Sequence, residues 1–197
     1  MNASTSDRKD KMRATVFEAM VYETNLREEP FAPPVTVIPH PAETAPEFNF
    51  IYTSRVVYPK NVNTLQSLGC TCTDGCKPGD SCACYKRQCE ENAKYDHPPG
   101  FAYDQKGLLK FKHDEPMAIW ECNDMCGCPP ECQNRVMGNG RNVPIELYRT
   151  PECGWGARLG ELKRRDPNKE GKIKAGTFVG VYSGELVSTN DAKKRDQ

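Results

Sequence analysis

Gly69-Cys70-Thr71-Cys72-Thr73-Asp74-Gly75-Cys76 opens a stretch that runs on through Ser81-Cys82-Ala83-Cys84 to Cys89. After a cysteine-free interval it closes with Glu121-Cys122-Asn123-Asp124-Met125-Cys126-Gly127-Cys128-Pro129-Pro130-Glu131-Cys132. Ten of the chain's 11 cysteines fall here. Cys-x-Cys pairs and a C-x3-C-x-C-x3-C run are poor disulfide material, because such short spacings crowd sulfurs at one point. Thiolates one to four residues apart can instead converge on a single tetrahedral ion, so the stretch predicts a metal centre. Zinc suits dense thiolate in a reducing compartment, with an iron–sulfur cluster as the lesser alternative.

Counting narrows the solutions. With Cys89 set aside, nine thiols remain: Cys70, Cys72, Cys76, Cys82, Cys84, Cys122, Cys126, Cys128 and Cys132. Two isolated zincs use eight and orphan one; three tetrahedral zincs need three of the nine to bridge two metals. Nine thiolates against three divalent ions leave a formal charge near minus three, which Lys77, Lys86, Arg87 and Arg135 could offset. The count alone leaves two zincs and three zincs both open.

The rest of the composition sets bounds. The 197 residues are 37% hydrophobic, and the mean hydropathy of −0.74 is lean for one large core. Metal-stapled domains tolerate a thin core because zinc binding contributes folding free energy directly. The 27 basic and 27 acidic residues cancel, which argues against a dedicated nucleic-acid binder. No apolar run approaches the roughly 20 residues of a membrane span. The charged N-terminus has no signal-peptide core, so a secreted disulfide scaffold is disfavoured and a reducing compartment expected.

Residues 1–47 read as a flexible tail, weakly amphipathic through Met12, Val16, Phe17, Met20 and Val21 and equally open to a short helix there, followed by a proline-rich linker over 30–46. Phe48 to Val62 alternates and should be extended. Asp96 to Gly100 marks a loop, and Phe101 to Phe111 a hairpin turning at Asp104 to Gly107. His97 and His113 read as solvated. Strands are expected at Val143 to Arg149 and from Trp155 to Leu159, then a charged surface loop at 161–174 carrying Lys163-Arg164-Arg165. Thr177 to Val187 reads as a hairpin or bent strand pair. Ser188 with Asp191 forms a capping box that starts a helix.

The cysteine order, the run ECNDMCGCPPECQNRV at 121–136 and CGWGA at 153–157 together resemble the pre-SET domain and leading SET strands of histone lysine methyltransferases. The likeness spans about Phe48 to Gln197 and is nearest the fungal heterochromatin branch, which methylates lysine 9 of histone H3. It implies a mostly β and irregular fold: a pre-SET zinc-cluster domain at 48–142 and the N-terminal part of a SET domain at 143–197. It also implies three zincs bridged by Cys70, Cys76 and Cys122. One takes Cys70, Cys72, Cys76 and Cys82; the second Cys70, Cys84, Cys122 and Cys126; the third Cys76, Cys122, Cys128 and Cys132. Cys89 and Cys153 are expected as free thiols.

The same resemblance assigns backbone contacts to S-adenosylmethionine around Cys153, Gly154 and Trp155, and the catalytic place in Tyr182-Ser183-Gly184-Glu185 to Tyr182, whose hydroxyl would orient a lysine amine. Read without it, Trp155 is a core residue at a tight turn and Tyr182 an amphipathic strand residue. The family's asparagine–histidine cofactor motif, C-terminal tyrosine and three-cysteine post-SET segment do not occur in the 197 residues. The chain is therefore expected to carry the N-terminal part of such an enzyme and to be inactive alone. The resemblance further implies the histone H3 tail and nucleosome as partners, heterochromatin proteins as further ones, and a nuclear, chromosomal location. The alternative is a non-enzymatic zinc-cluster module that binds chromatin proteins or scaffolds an assembly.

Overall fold

The computed structural model describes residues 5–38, 53–59, 69–79, 81–111, 116–150, 152–160 and 172–195. The chain divides into two compact units. The first comprises Met1–Pro59, Asn142–Lys172 and Val181–Gln197, the second Lys60–Arg141 and Ile173–Gly180.

In the first unit, helix α1 (Thr5–Glu28) is followed by strand β1 (Val35–Val37). The Pro30, Pro33 and Pro34 that follow the helix cannot continue it. Within the 1–47 segment expected as tail and linker, these two elements are ordered for a reason that lies elsewhere in the chain. Phe17 and Val21 of α1 bury against Val35 and Val37 of β1, with Met20, Ile145 and Leu147 packed beside them. Asn25, also buried, accepts the Val35 N–H on its Oδ1 at 3.0 Å and so ties helix to strand. β1 runs parallel to β2 (Ile145–Thr150), pairing Val35 with Ile145, and β2 runs antiparallel to β3 (Gly154–Leu159), pairing Ile145 with Leu159. Both of these later strands fall where alternation places them.

Two other expectations meet different fates. Ser188 accepts the Asp191 N–H at 3.2 Å and starts helix α3 (Thr189–Arg195), as the capping box requires. The hairpin expected over Thr177 to Val187 does not form. Residues to Gly180 belong to the second unit and those from Val181 to the first, so the two arms have different partners. Glu185 instead bridges Val57 in parallel, with Val57 N–H donating to Gly184 O at 2.8 Å. Of the extended segment at 48–62, only 53–59 is described; of the loop expected at 161–174, residues 161–171 with Lys163-Arg164-Arg165 lie outside the described residues, as does His113.

The second unit holds the cysteines and helix α2 (Ala83–Ala93), which sequence patterning does not foretell. Its buried side chains are Cys84, Gln88, Glu91 and Asn92, with no apolar stripe to betray a helix. Gln88 and Asn92 instead pin loops. Gln88 Oε1 accepts the Trp120 N–H at 2.7 Å, and Asn92 Nδ2 donates to Pro98 O and Gly100 O at 2.9 and 3.1 Å. The hairpin after Gly100 is present: Tyr103 bridges Leu109, and Gly107, at φ +72, closes the turn onto Asp104 O. No helix among the described residues is long and apolar enough to cross a membrane.

Candidate metal centre

Three local devices bring the sulfurs together. Cys82 is the N-cap of α2, its Sγ accepting the Tyr85 N–H at 3.4 Å. That position sets the Cys82 sulfur at the positive end of the helix dipole. Cys84 follows in the first turn. The 122–132 loop folds back on the 70–76 loop through Cys70 N–H to Cys126 Sγ at 3.3 Å and Gly127 N–H to Cys70 O at 2.8 Å. The Asn123 N–H also donates to Cys126 Sγ, at 3.3 Å.

The outcome is a core built of sulfur. Cys70, Cys76, Cys82, Cys84, Cys122, Cys126, Cys128 and Cys132 are buried together with Phe101, and Cys72 packs on them half-buried. None of the 11 cysteines is joined in a disulfide. The sulfurs of Cys70 and Cys76 lie 3.4 Å apart, those of Cys76 and Cys122 3.5 Å, and those of Cys84 and Cys126 3.7 Å. A tetrahedral ion with sulfur at about 2.3 Å has S···S edges of about 3.8 Å, so the donors fit a thiolate-loving metal. Three groups of four have all their sulfurs within 4.8 Å of one another: Cys70, Cys72, Cys76, Cys82; Cys70, Cys84, Cys122, Cys126; and Cys70, Cys76, Cys122, Cys128. Cys70, Cys76 and Cys122 recur between groups. Cys132 is buried against Cys76 and Cys128 but belongs to none of the three. Cys89, half-buried on α2, and exposed Cys153 stand outside them, as does His97, whose ring packs on Phe111 at 4.7 Å.

Electrostatics give the same answer. Burial pushes Cys72 up to about 11, Cys84 up to about 12, and Cys76 and Cys122 further. Burial opposes ionisation of Cys70 as well, but the Cys72 N–H and the Cys76 and Cys126 thiols donate to it and leave it at about 6. A dry pocket of this kind cannot hold several thiolates unless cationic charge sits among them.

The other residues singled out from sequence lie in the first unit. Gly154 opens β3 at φ +74, a left-handed conformation that glycine adopts without strain. Trp155 packs its ring on Phe17 at 5.3 Å and is partly exposed. The Cys153 N–H donates to Thr150 Oγ1 at 3.0 Å. Tyr182 is fully exposed, with no aromatic channel around it among the described residues.

The family model for the Pre-SET motif matches residues 27–135, more than half of the chain and the whole cysteine stretch. The chain belongs to the Pre-SET family. It is 35% identical over 93% of its length to the H3 lysine-9 specific histone-lysine N-methyltransferase of Cryptococcus neoformans var. grubii, and 35% identical over 77% to that of Schizosaccharomyces pombe. It spans only 10% and 28% of those two relatives. Among solved structures, KRYPTONITE in complex with mCHH DNA, H3(1-15) peptide and SAH superposes with a TM-score of 0.58 at 27% identity, over 81% of this chain and 30% of that one.

Within the Pre-SET motif the structure adds residues that sequence reasoning missed. Gln88, Glu91 and Asn92 hold the loops flanking the thiols, and Gln133 and Asn134 close over the sulfurs beside Arg135, whose charge the sequence had already set against the thiolates. A clue to Gln133 and Asn134 was position: two polar side chains directly after Cys132, the last cysteine of the cluster.

Proposed function

We propose that this chain supplies the zinc cluster and leading SET strands of a histone H3 lysine-9 methyltransferase that uses S-adenosylmethionine, working on the histone tail of nucleosomes in the nucleus. The observation that carries this reading is the interlocking of thiol groups through Cys70, Cys76 and Cys122 inside a matched Pre-SET motif. Three zincs are held by Cys70, Cys72, Cys76 and Cys82; by Cys70, Cys84, Cys122 and Cys126; and by Cys76, Cys122, Cys128 and Cys132. The first two sets coincide with observed groups, and in the third Cys132 takes the place that Cys70 occupies in the geometric group. Zinc in this position cross-links loops that have little apolar core of their own.

Cys153, Gly154 and Trp155 hold the methyl donor by their backbone, supported by the left-handed turn at Gly154. Tyr182 is the residue that faces the target amine. The H3 peptide, DNA and SAH in the KRYPTONITE complex support the choice of substrate tail and cofactor, and heterochromatin proteins are further partners. The full exposure of Tyr182 favours a second reading for the chain acting by itself, a non-enzymatic zinc-cluster module on chromatin. On either reading the 197 residues alone transfer no methyl groups.

Elemental mass spectrometry on reduced protein, paired with thiol alkylation, tests the centre. Three zincs per chain are expected, with Cys89 and Cys153 alkylated at once and nine thiols reacting only after chelation; two zincs would remove the bridging scheme. Methyl transfer to an H3 peptide by the protein that carries this chain should vanish when lysine 9 of the peptide is replaced by alanine. Undiminished transfer would discard the substrate assignment.

A further inference from the structure

Directly after Cys132, three consecutive side chains turn back over the sulfurs. The turn is set by Cys132 N–H to Pro129 O and Arg135 N–H to Cys132 O, both 3.0 Å. Gln133 Nε2 donates to the Cys76 carbonyl at 3.1 Å. Asn134, wholly buried, donates from Nδ2 to Trp120 O at 3.0 Å and to Cys122 Sγ at 3.5 Å, while the Cys122 N–H returns to Asn134 O at 2.8 Å. Arg135 donates from one terminal nitrogen to Cys128 O at 2.9 Å and Cys126 O at 3.3 Å, and its guanidinium lies against the Cys128 side chain.

Two buried atoms here have no hydrogen-bond partner among the described residues: Asn134 Oδ1 and Arg135 Nε. A buried, unpaired N–H on a cation is costly and rare, so it demands an explanation. Anionic sulfur provides one, because a guanidinium set among thiolates gains both a hydrogen bond and charge compensation. Charge points to the same residue. A nine-thiolate, three-zinc centre carries an excess near minus three. Of the four cations near the cysteines in sequence, Lys77 is exposed and paired with Asp74 at 3.2 Å, Lys86 is exposed, and Arg87 lies over the Trp120 ring at 6.0 Å. Arg135 is the one whose head group is set against the cysteine loop.

We propose that Asn134 and Arg135 are positioning residues for the zinc cluster. Asn134 holds the bridging Cys122 sulfur through an N–H···S bond, and Arg135 places its charge over the Cys126–Cys128 loop while fixing that loop's carbonyls. This rests on the zinc-cluster reading above. Residues outside the ligand set that orient ligands in this way typically alter metal affinity by about 10- to 100-fold when changed.

The test uses the zinc-loaded 197-residue chain and follows transfer of zinc to a chromophoric chelator, with alkylation sites resolved by mass. Arg135→Met keeps bulk and removes charge; Arg135→Lys keeps charge and loses the fork; Asn134→Asp replaces the donor by an anion at nearly constant shape; exposed Glu131→Gln is the control. Arg135→Met and Asn134→Asp are expected to release zinc about 10- to 100-fold faster. Alkylation should begin at Cys126 and Cys128 in the first variant and at Cys122 in the second. Arg135→Lys should recover part of the loss, which a role in packing alone would not produce. Should Asn134→Asp fail to fold, the Arg135 pair carries the decision. Wild-type release rates in Arg135→Met, or identical losses in Arg135→Met and Arg135→Lys with no preferred thiol, overturn the proposal. A wild-type chain without zinc overturns the zinc reading and this inference together; a three-zinc chain with unaltered variants overturns this inference alone.

Discussion

At Gly69 a single hydrogen atom decides whether two loops can meet. A Cβ there would run into Met125 O and lie 2.5 Å from Cys126 N, both backbone atoms that have nowhere to move. The approach is this close because Cys70 receives its neighbours through hydrogen bonds to Cys126 and Gly127. Gly69→Ala must therefore push the 70–76 and 122–132 loops apart, at a cost above the about 1–3 kcal/mol of ordinary overpacking. Gly75 offers the contrast: it sits at φ +86, and a methyl group added to it would meet nothing within 4 Å, so Gly75→Ala carries only backbone strain of about 1 kcal/mol. Zinc stoichiometry and thermal unfolding midpoints should fall sharply for Gly69→Ala and slightly for Gly75→Ala; equal effects would refute the clash. The gathering of the cysteines was legible in the sequence because it follows from their local spacing. Gly69 and Asn134 were not, because what each touches is brought to it only by the folded loops; of Arg135 the sequence showed the charge but not the carbonyls it fixes.

At the scale of elements, legibility follows the range of the interactions. β2, β3, the Phe101–Phe111 hairpin and the cap of α3 depend on alternation, a turn glycine and a Ser–Asp pair a few residues apart, and all could be read. α2 was hidden because its inward face is polar; Gln88, Glu91 and Asn92 serve the backbone of Pro98, Gly100, Ala118 and Trp120. α1 reads as tail because Phe17 and Val21 look isolated until β1 and β2 supply their partners, more than a hundred residues away in the case of β2. Phe17 also meets Trp155, so it joins α1 to both the strand layer and β3. Phe17→Ala should cost the first unit about 3–5 kcal/mol, the usual range for emptying a buried phenylalanine site. Hydrogen exchange should show α1 and β1 losing protection, Trp emission should shift, and zinc content should stay at its wild-type value. Zinc loss in this variant would mean that α1 supports the cysteine unit, contrary to the separation of the two cores.

For the molecule as a whole, the two units are held by different physics. The first buries an apolar cluster of Phe17, Val21, Val35 and Val37. The second buries eight cysteines and Phe101, a core in which burial pushes the Cys76 and Cys122 thiols up and whose sulfurs are grouped as a metal would need them. Without metal, neutral thiols offer only weak hydrogen bonds and little apolar surface in place of thiolate–metal bonds. Chelation under reducing conditions should then act selectively. Amides of α2 and of the 101–110 hairpin should lose exchange protection as zinc leaves, while α1 and β1–β3 retain theirs. Acid should do the same in one direction only: each ligand must be a thiolate to bind, so falling pH releases zinc and rising pH restores it. Retained protection of α2 in the metal-free, reduced chain would show that its polar network suffices without the ion. Joint loss of α1 and α2 would show that the molecule unfolds as one body, and the division of labour between sulfur and hydrocarbon would have to be abandoned.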